Sequence, residues 1–325
     1  MGIRISSVFC LLTHCIIICS GLTEKTKLSF VSSNSSFTEC VRKSYPFIFP
    51  IHSYSNEDYT GPIPYRTELS ETSTFTSCTF NSEGPSGGAI SFTGSGASLT
   101  VTDSLFNKCN ATTGNGGAIY CHNCGKVSIQ TSSLIECSAL EYSLGGGIFI
   151  EGASVLPEIT TNNFISCTGG EDTGGVDLRR VTGDNDGANL PVRECRFIGC
   201  VAYGKMADTT ANNADSGGLE FWLNDFTLGI SESIFLKCES KFRAGAVGLV
   251  LNSSRFDYVI RYCFFSENTA QKGNNVLVEF VDSTESLWDA VFLHSFTSDN
   301  DRSNSLVSTY DDSWITTPES DNWLP

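Results

Sequence analysis

Apolar and polar positions alternate with a period of two over short stretches of the chain, and the stretches recur. Counting from Ile90, Ile119, Ile148, Val176, Leu219, Val247 and Val276, the residue two places on is apolar (Phe92, Cys121, Ile150, Leu178, Phe221, Leu249, Val278). The residue three places on is mostly polar (Thr93, His122, Glu151, Arg179, Trp222, Val250, Glu279). Such alternation predicts a half-buried strand in every unit. A second Thr/Val/Ile-rich stretch, such as 97–102 or 126–130, precedes each aromatic-x-x-Cys motif. No unit holds ten residues of helical periodicity, so the chain is predicted to be all-β.

The repeat interval fixes the architecture. Each of those aliphatics closes a Gly-Gly-Ala-Ile-like motif, from Gly87–Ile90 through Thr173–Val176 and Ser216–Leu219 to a degraded Gly273–Val276. The aliphatics are 29, 29, 28, 43, 28 and 29 residues apart. Interleaved with them run Phe37–Cys40, Phe75–Cys78, Phe106–Cys109, Leu134–Cys137, Phe164–Cys167, Phe197–Cys200 and Phe235–Cys238, continued by Phe265–Asn268. Phe264 would also serve in that last copy, and Phe292 and Phe296 compete for the next. Two to three short strands per unit, joined by Gly/Ser/Asn corners, predict a parallel β-solenoid of about eight coils, roughly 29 residues per coil, stacked about 4.8 Å apart. The aromatics and aliphatics would form ladders of like residues along its axis, with Ile90, Ile119, Ile148, Val176, Leu219 and Val247 in one of them. Glycine suits the corners because it accepts positive φ and permits close approach of neighbouring coils.

The pairing of Gly-Gly-Ala-Ile with Phe-x-x-Asn resembles the polymorphic outer membrane protein repeat of bacterial surface proteins. Its Phe-x-x-Cys form is similar to related repeats in secreted and surface proteins of some protists. The resemblance covers about residues 70–300 and implies a right-handed parallel β-helix, a surface location and an adhesive or antigenic role.

The flanks carry different signals. Arg4, the apolar run Val8–Cys19 and the small residues Ser20-Gly21 read as a secretory signal peptide over 1–21. Residues 22–60, with the apolar patch Tyr45–Ile51, are expected to cap the first coil of a repeat domain spanning 61–300, and 301–325 is an acidic polar tail in which Trp314 and Trp323 would tuck over the last coil. No later run is long enough for a membrane span, so the mature chain is expected to be extracellular. A net charge of −16 argues against a nucleic-acid surface, since that affinity comes first from cationic side chains on phosphates. An unidentified extracellular protein or glycan is the expected partner.

Fourteen cysteines, three of them within 1–21, leave an odd number in the mature chain. They read either as a ladder of buried thiols, because stacked side chains on parallel strands point alike, or as disulfides, as expected in an oxidising compartment. Cys195 is expected on a different wall from Cys200, with Cys263 of the same type. Cys121-His122-Asn123-Cys124 has metal-like spacing but no second ligand pair, and reads as a corner.

The 43-residue step marks the irregular unit, because its excess falls in two enlarged connections near 180–192 and 201–216. Beside them Asp177 and Glu220 share an outward register on adjacent coils. With Arg179 and Arg180 they are the candidate catalytic residues of an alternative reading, a Ca²⁺-dependent polysaccharide lyase or glycoside hydrolase. Asp177 and Glu220 would then hold the calcium, and Asp184 and Asp186 offer further oxygen ligands or binding contacts. Arg179 pairing with Glu151 one coil away is the plain structural alternative. A binding role draws instead on Tyr120, Phe149 and Trp222 as an outward aromatic strip, and no cofactor is required. Asn34, Asn110 and Asn252 lie in glycosylation triplets. The leading expectation is a secreted or cell-surface, non-enzymatic adhesin, binding or structural protein.

Overall fold

The computed structural model of the chain describes residues 52–55, 58–59, 63–64, 73–281 (other than 95, 141, 183–189, 205–214, 223–227, 253–256 and 272), 289–293, 296–297 and 307–309. They form a right-handed parallel β-solenoid with four walls. One coil shows the order: Val127–Gln130 lies on wall I, Ser133–Ile135 on wall II, Ser138–Ala139 on wall III and Ile148–Glu151 on wall IV, and Glu158–Thr160 then returns to wall I. Walls I, II and IV each contain nine strands and wall III six. Among the described residues about six turns carry all four walls, against the eight coils expected.

Wall IV bears out the aliphatic interval. Ile90, Ile119, Ile148, Val176, Leu219, Val247 and Val276 pair successively in register, and the long step is absorbed outside the strands. The second glycine of the motifs from Gly88 to Gly245 is required by close approach: a Cβ on Gly117 would lie 1.9 Å from the Gly146 carbonyl oxygen, and one on Gly217 2.2 Å from that of Gly245. The first rung includes His52–Ser55 and Asp58–Tyr59, which pair with Ser73–Thr76 and Thr79–Phe80. The solenoid thus begins within the segment read as a cap. Val307–Thr309, in the segment read as a tail, pairs with Val276–Val278.

On wall II the aromatic ladder runs Phe80, Phe106, Leu134, Phe164, Phe197, Phe235, Phe265. Successive rings stack at 4.5 Å (Phe80–Phe106), 4.7 Å (Phe164–Phe197 and Phe197–Phe235) and 5.1 Å (Phe235–Phe265). Phe265 holds the ladder position, Phe264 pairs with Phe296, and Phe292 belongs to wall I opposite Ile260. One expected copy is misplaced. Phe75 pairs with Val101 on wall I, and Phe80 takes the wall II position. The Phe75–Cys78 spacing is coincidental, because the two-residue wall II strand Thr79–Phe80 brings a second phenylalanine into the core, edge-on to Phe75 at 5.7 Å.

The corners explain where cysteine goes. Between walls I and II one residue per rung takes positive φ, as Ser77, Asp103, Thr131, Thr161, Glu194, Glu232 and Tyr262 do. The buried residue that follows is Cys78, Ser104, Ser132, Asn162, Cys195, Ser233 or Cys263. Backbone N–H groups here donate to the next rung's side chain: Cys78 to Ser104 Oγ (3.2 Å), Ser104 to Ser132 Oγ (3.1 Å), Ser132 to Asn162 Oδ1 (2.8 Å) and Cys195 to Ser233 Oγ (3.1 Å). Between walls II and III the buried column is Ser82, Cys109, Cys137, Cys167, Cys200, Cys238 and Asn268. Its thiols donate to carbonyls one rung back, Cys167 to Leu134 at 3.4 Å and Cys200 to Phe164 at 3.4 Å. Cys195 and Cys263 therefore occupy a corner separate from Cys200, and Cys78 joins them. All ten described cysteines are buried thiols, including Cys121 and Cys124.

Candidate functional site

The irregular coil places Val176–Arg179 beside Leu219–Trp222 on wall IV, pairing Asp177 with Glu220 and Arg179 with Trp222. Val176 and Leu178 fill the core, so Asp177 projects to the other face, as the alternation requires. Both carboxyls are nevertheless fully buried, which corrects the exposed register expected for them. The reason is a collar of polar groups the sequence reading did not include. The strands are preceded by Asp172-Thr173 and Asp215-Ser216 where other coils carry residues such as Asn115-Gly116, and Thr173 bridges to Ser216. Thr173 Oγ1 donates to Glu220 Oε2 at 2.7 Å. The signal was present in sequence: Thr and Ser replace the first glycine of the motif in two consecutive coils.

Arg179 closes the cluster. Its Nε lies 2.9 and 3.0 Å from the two Asp177 oxygens, and its Nη2 bonds Asp172 Oδ2 and lies 3.5 Å from Glu220 Oε1. The guanidinium is 11% exposed and stacks 5.3 Å from the Trp222 ring centre. Arg180, 62% exposed, takes the role foreseen for Arg179: it reaches Glu151 at 3.7 Å, and it lies 4.8 Å from the same indole. His122 also approaches Glu151, at 3.2 Å.

Burial shifts the titration of the carboxyls. Desolvation raises Asp177 to about 6 against the opposing pull of Arg179. Desolvation and the neighbouring Asp177 push Glu220 well above the usual carboxylate range. Three acids hold Arg179 well above its ordinary value despite its burial. An arginine so held does not accept a proton, and neither carboxyl of the pair presents surface to a saccharide. Among the described residues no three acidic, histidine or cysteine side chains converge as a metal cage.

The other candidates divide. Tyr120 and Phe149 stack at 5.7 Å with rings 6° from parallel, as foreseen for successive coils. Phe149 is buried and Tyr120 half-buried, so they form a packed pair rather than an open strip, while Trp222 lies beneath the two arginines. Asn110 is half-buried at the start of a wall III strand and accepts from Ser138 Oγ at 3.0 Å. Asn252 ends the strand Val247–Asn252. Asn34, Phe37–Cys40, Asp184, Asp186, Trp314, Trp323 and the segment 1–21 read as a signal peptide lie outside the described residues.

Exposed apolar side chains concentrate elsewhere. Leu140 (47% exposed), Tyr142 (62%) and Tyr203 (60%) lie at and just beyond the edge of wall III. The register places Leu140, Gly170 and Tyr203 at one position on successive rungs, so leucine and tyrosine flank a notch about 10 Å across. Phe242 packs over Gly204 beside them, where a Cβ would meet its ring at 2.7 Å. No periodic signal marked these residues, because they fall between strands.

Fold and cluster together define a right-handed parallel β-solenoid protein with a buried acid–arginine cluster in its irregular coil. Comparison with protein-family models, curated proteins and solved structures gives no match. Among the described residues no helix is long and apolar enough to cross a membrane.

Proposed function

We propose that the chain is a secreted or cell-surface β-solenoid acting as a non-enzymatic binding or structural protein, with the wall III edge presented to an extracellular protein or glycan. The observation that carries this reading is the pair of exposed tyrosines, Tyr142 and Tyr203, near the wall III edge. Large amphipathic rings on a rigid support supply contact area at low entropic cost, and loops on such scaffolds are where recognition is usually placed. The resemblance to surface-protein repeats points the same way. The closed state of Asp177 and Glu220 weighs against the polysaccharide-cleaving alternative.

The test is binding of the secreted chain to a glycan array and to intact cells, compared with Tyr142→Ala/Tyr203→Ala. The double variant is expected to keep its β-rich circular dichroism and lose at least about tenfold in affinity, the scale of one or two aromatic anchors. Unchanged binding would remove the wall III edge from the reading. New chain ends released from acidic polysaccharides with Ca²⁺ would replace it by the enzymatic one.

A further inference from the structure

Three buried carboxyls share one guanidinium. Asp172, Asp177 and Glu220 are each at least 98% buried, and among the described residues only Arg179 forms ion pairs with them. Fully ionised, the set would carry a net double negative charge out of water, which a protein interior does not tolerate. Two oxygens in it, Asp172 Oδ1 and Glu220 Oε1, have no hydrogen-bond partner. The other oxygens of the same carboxyls are occupied, Glu220 Oε2 by Thr173 and Asp172 Oδ2 by Arg179. A proton on Glu220 makes an orphan acceptor into a donor and leaves Asp172 Oδ1 as an acceptor beside the same guanidinium. It lowers the net charge of the set from −2 to −1 and removes one of the two unmet acceptors.

Among the described residues the surrounding charges do not supply that neutralisation. Arg180 is engaged with Glu151 and Trp222. Glu171, half-buried, adds negative charge from the preceding loop, and Asp215 lies against Gly204. The same loop holds both ends of the enlarged connection: the N–H of Tyr203 donates to Gly169 O at 3.1 Å, Gly204 to Glu171 O at 3.0 Å and Ser216 to Asp172 O at 2.6 Å.

We propose that Asp172, Asp177, Glu220 and Arg179 form a proton-locked clasp at the base of the 201–216 connection, closed while the cluster holds its protons and loosened as they leave. The raised carboxyls support it, Asp177 to about 6 and Glu220 further, both primarily through desolvation. A raised carboxyl stabilises the fold fully below its unfolded-state value, and that contribution is lost as pH rises through the folded one. The clasp is therefore tight in acid and weak in alkali, the reverse of an ordinary carboxylate ion pair.

Denaturant unfolding and amide exchange on the full secreted chain between about pH 5 and 8, compared with Glu220→Gln, test it. Each retained proton makes the unfolding constant rise about tenfold per pH unit within its window. The parent is expected to show that rise, and Glu220→Gln, which keeps the shape without the titration, to lose about one proton of it. Protection at Gly204 and Ser216, corrected for intrinsic exchange, should fall with pH in the parent and not in the variant. Equal pH slopes in the two proteins overturn the proposal. If Glu220→Gln does not fold, the infrared spectrum of the parent decides: a protonated carboxyl band persisting at about pH 6.5 supports the clasp, and its absence overturns it.

Discussion

A buried thiol in this fold behaves as a small polar cap. Cysteine, serine and asparagine alternate in the two corner columns, and each group bonds the backbone of a neighbouring rung. Asn268 shows the limit of the series, accepting from Cys238 N at 2.9 Å and donating to Phe235 O at 3.1 Å. Burial pushes Cys195 and Cys263 up to about 12, so almost no thiolate exists at neutral pH. The folded chain is expected to leave both unlabelled by a maleimide at about pH 8, and to label both once denatured. Peptide mass mapping checks this, and labelling of either in the native state would show that the corner opens locally. The choice between thiol ladder and disulfide was legible only as an alternative in sequence, because side-chain direction along parallel strands sets it. What the pattern concealed was the second corner: Cys78 reads as a ladder residue until Phe80 is seen to occupy the ring position.

At the scale of the strand and its corner, the glycine pair does two separate jobs. The first position takes positive φ at Gly87, Gly116 and Gly145, which other residues tolerate at a cost. Thr173 and Ser216 stand there in the irregular coil without positive φ, and Thr173 provides the hydroxyl of the cluster. From Gly88 to Gly245 the second position leaves no room for a side chain, since its neighbour is a carbonyl of the next coil rather than a flexible side chain, and Asn274 stands there in the degraded last motif. Gly117→Ala is therefore expected to cost about 3 kcal/mol or more, the upper range of overpacking, and to appear as loss of secreted folded protein. At corners whose φ is positive without glycine, the expected change has the other sign. Ser166, at φ 52°, should gain about 0.5 kcal/mol when replaced by Asn, which accepts this conformation more readily, read from the denaturation midpoint. Strand existence and register on wall IV were legible because the aliphatic interval survives a 43-residue step. The collar of Asp172 and Thr173 was not, because a buried acid and an exposed one look alike until the neighbouring coil is placed beside them.

The whole molecule is quasi-one-dimensional, each coil resting on its two neighbours, so its stability should respond to removal of complete turns rather than to the count of residues. Excising 120–148 joins Ile119 to Phe149, and the wall IV register Ile119↔Ile148 makes this one full turn. The new neighbours are alike in kind. Phe106 would stack on Phe164 in place of Leu134, Cys109 would meet Cys167, and Ser104 N–H would find Asn162 Oδ1 where it now finds Ser132 Oγ. A restored ring contact is worth about 0.5–1.5 kcal/mol beyond the area it buries, which offsets part of the lost turn. The shortened chain is expected to be secreted, β-rich in circular dichroism and cooperative in unfolding, with a smaller denaturant slope because less surface is exposed. Excising only 120–133 should abolish folding. It would join Ile119 to Leu134, delete a wall I strand and bring a wall II strand to a wall IV position, inverting the apolar face. If both deletions fold equally well, in-register stacking of like residues is not what specifies this solenoid.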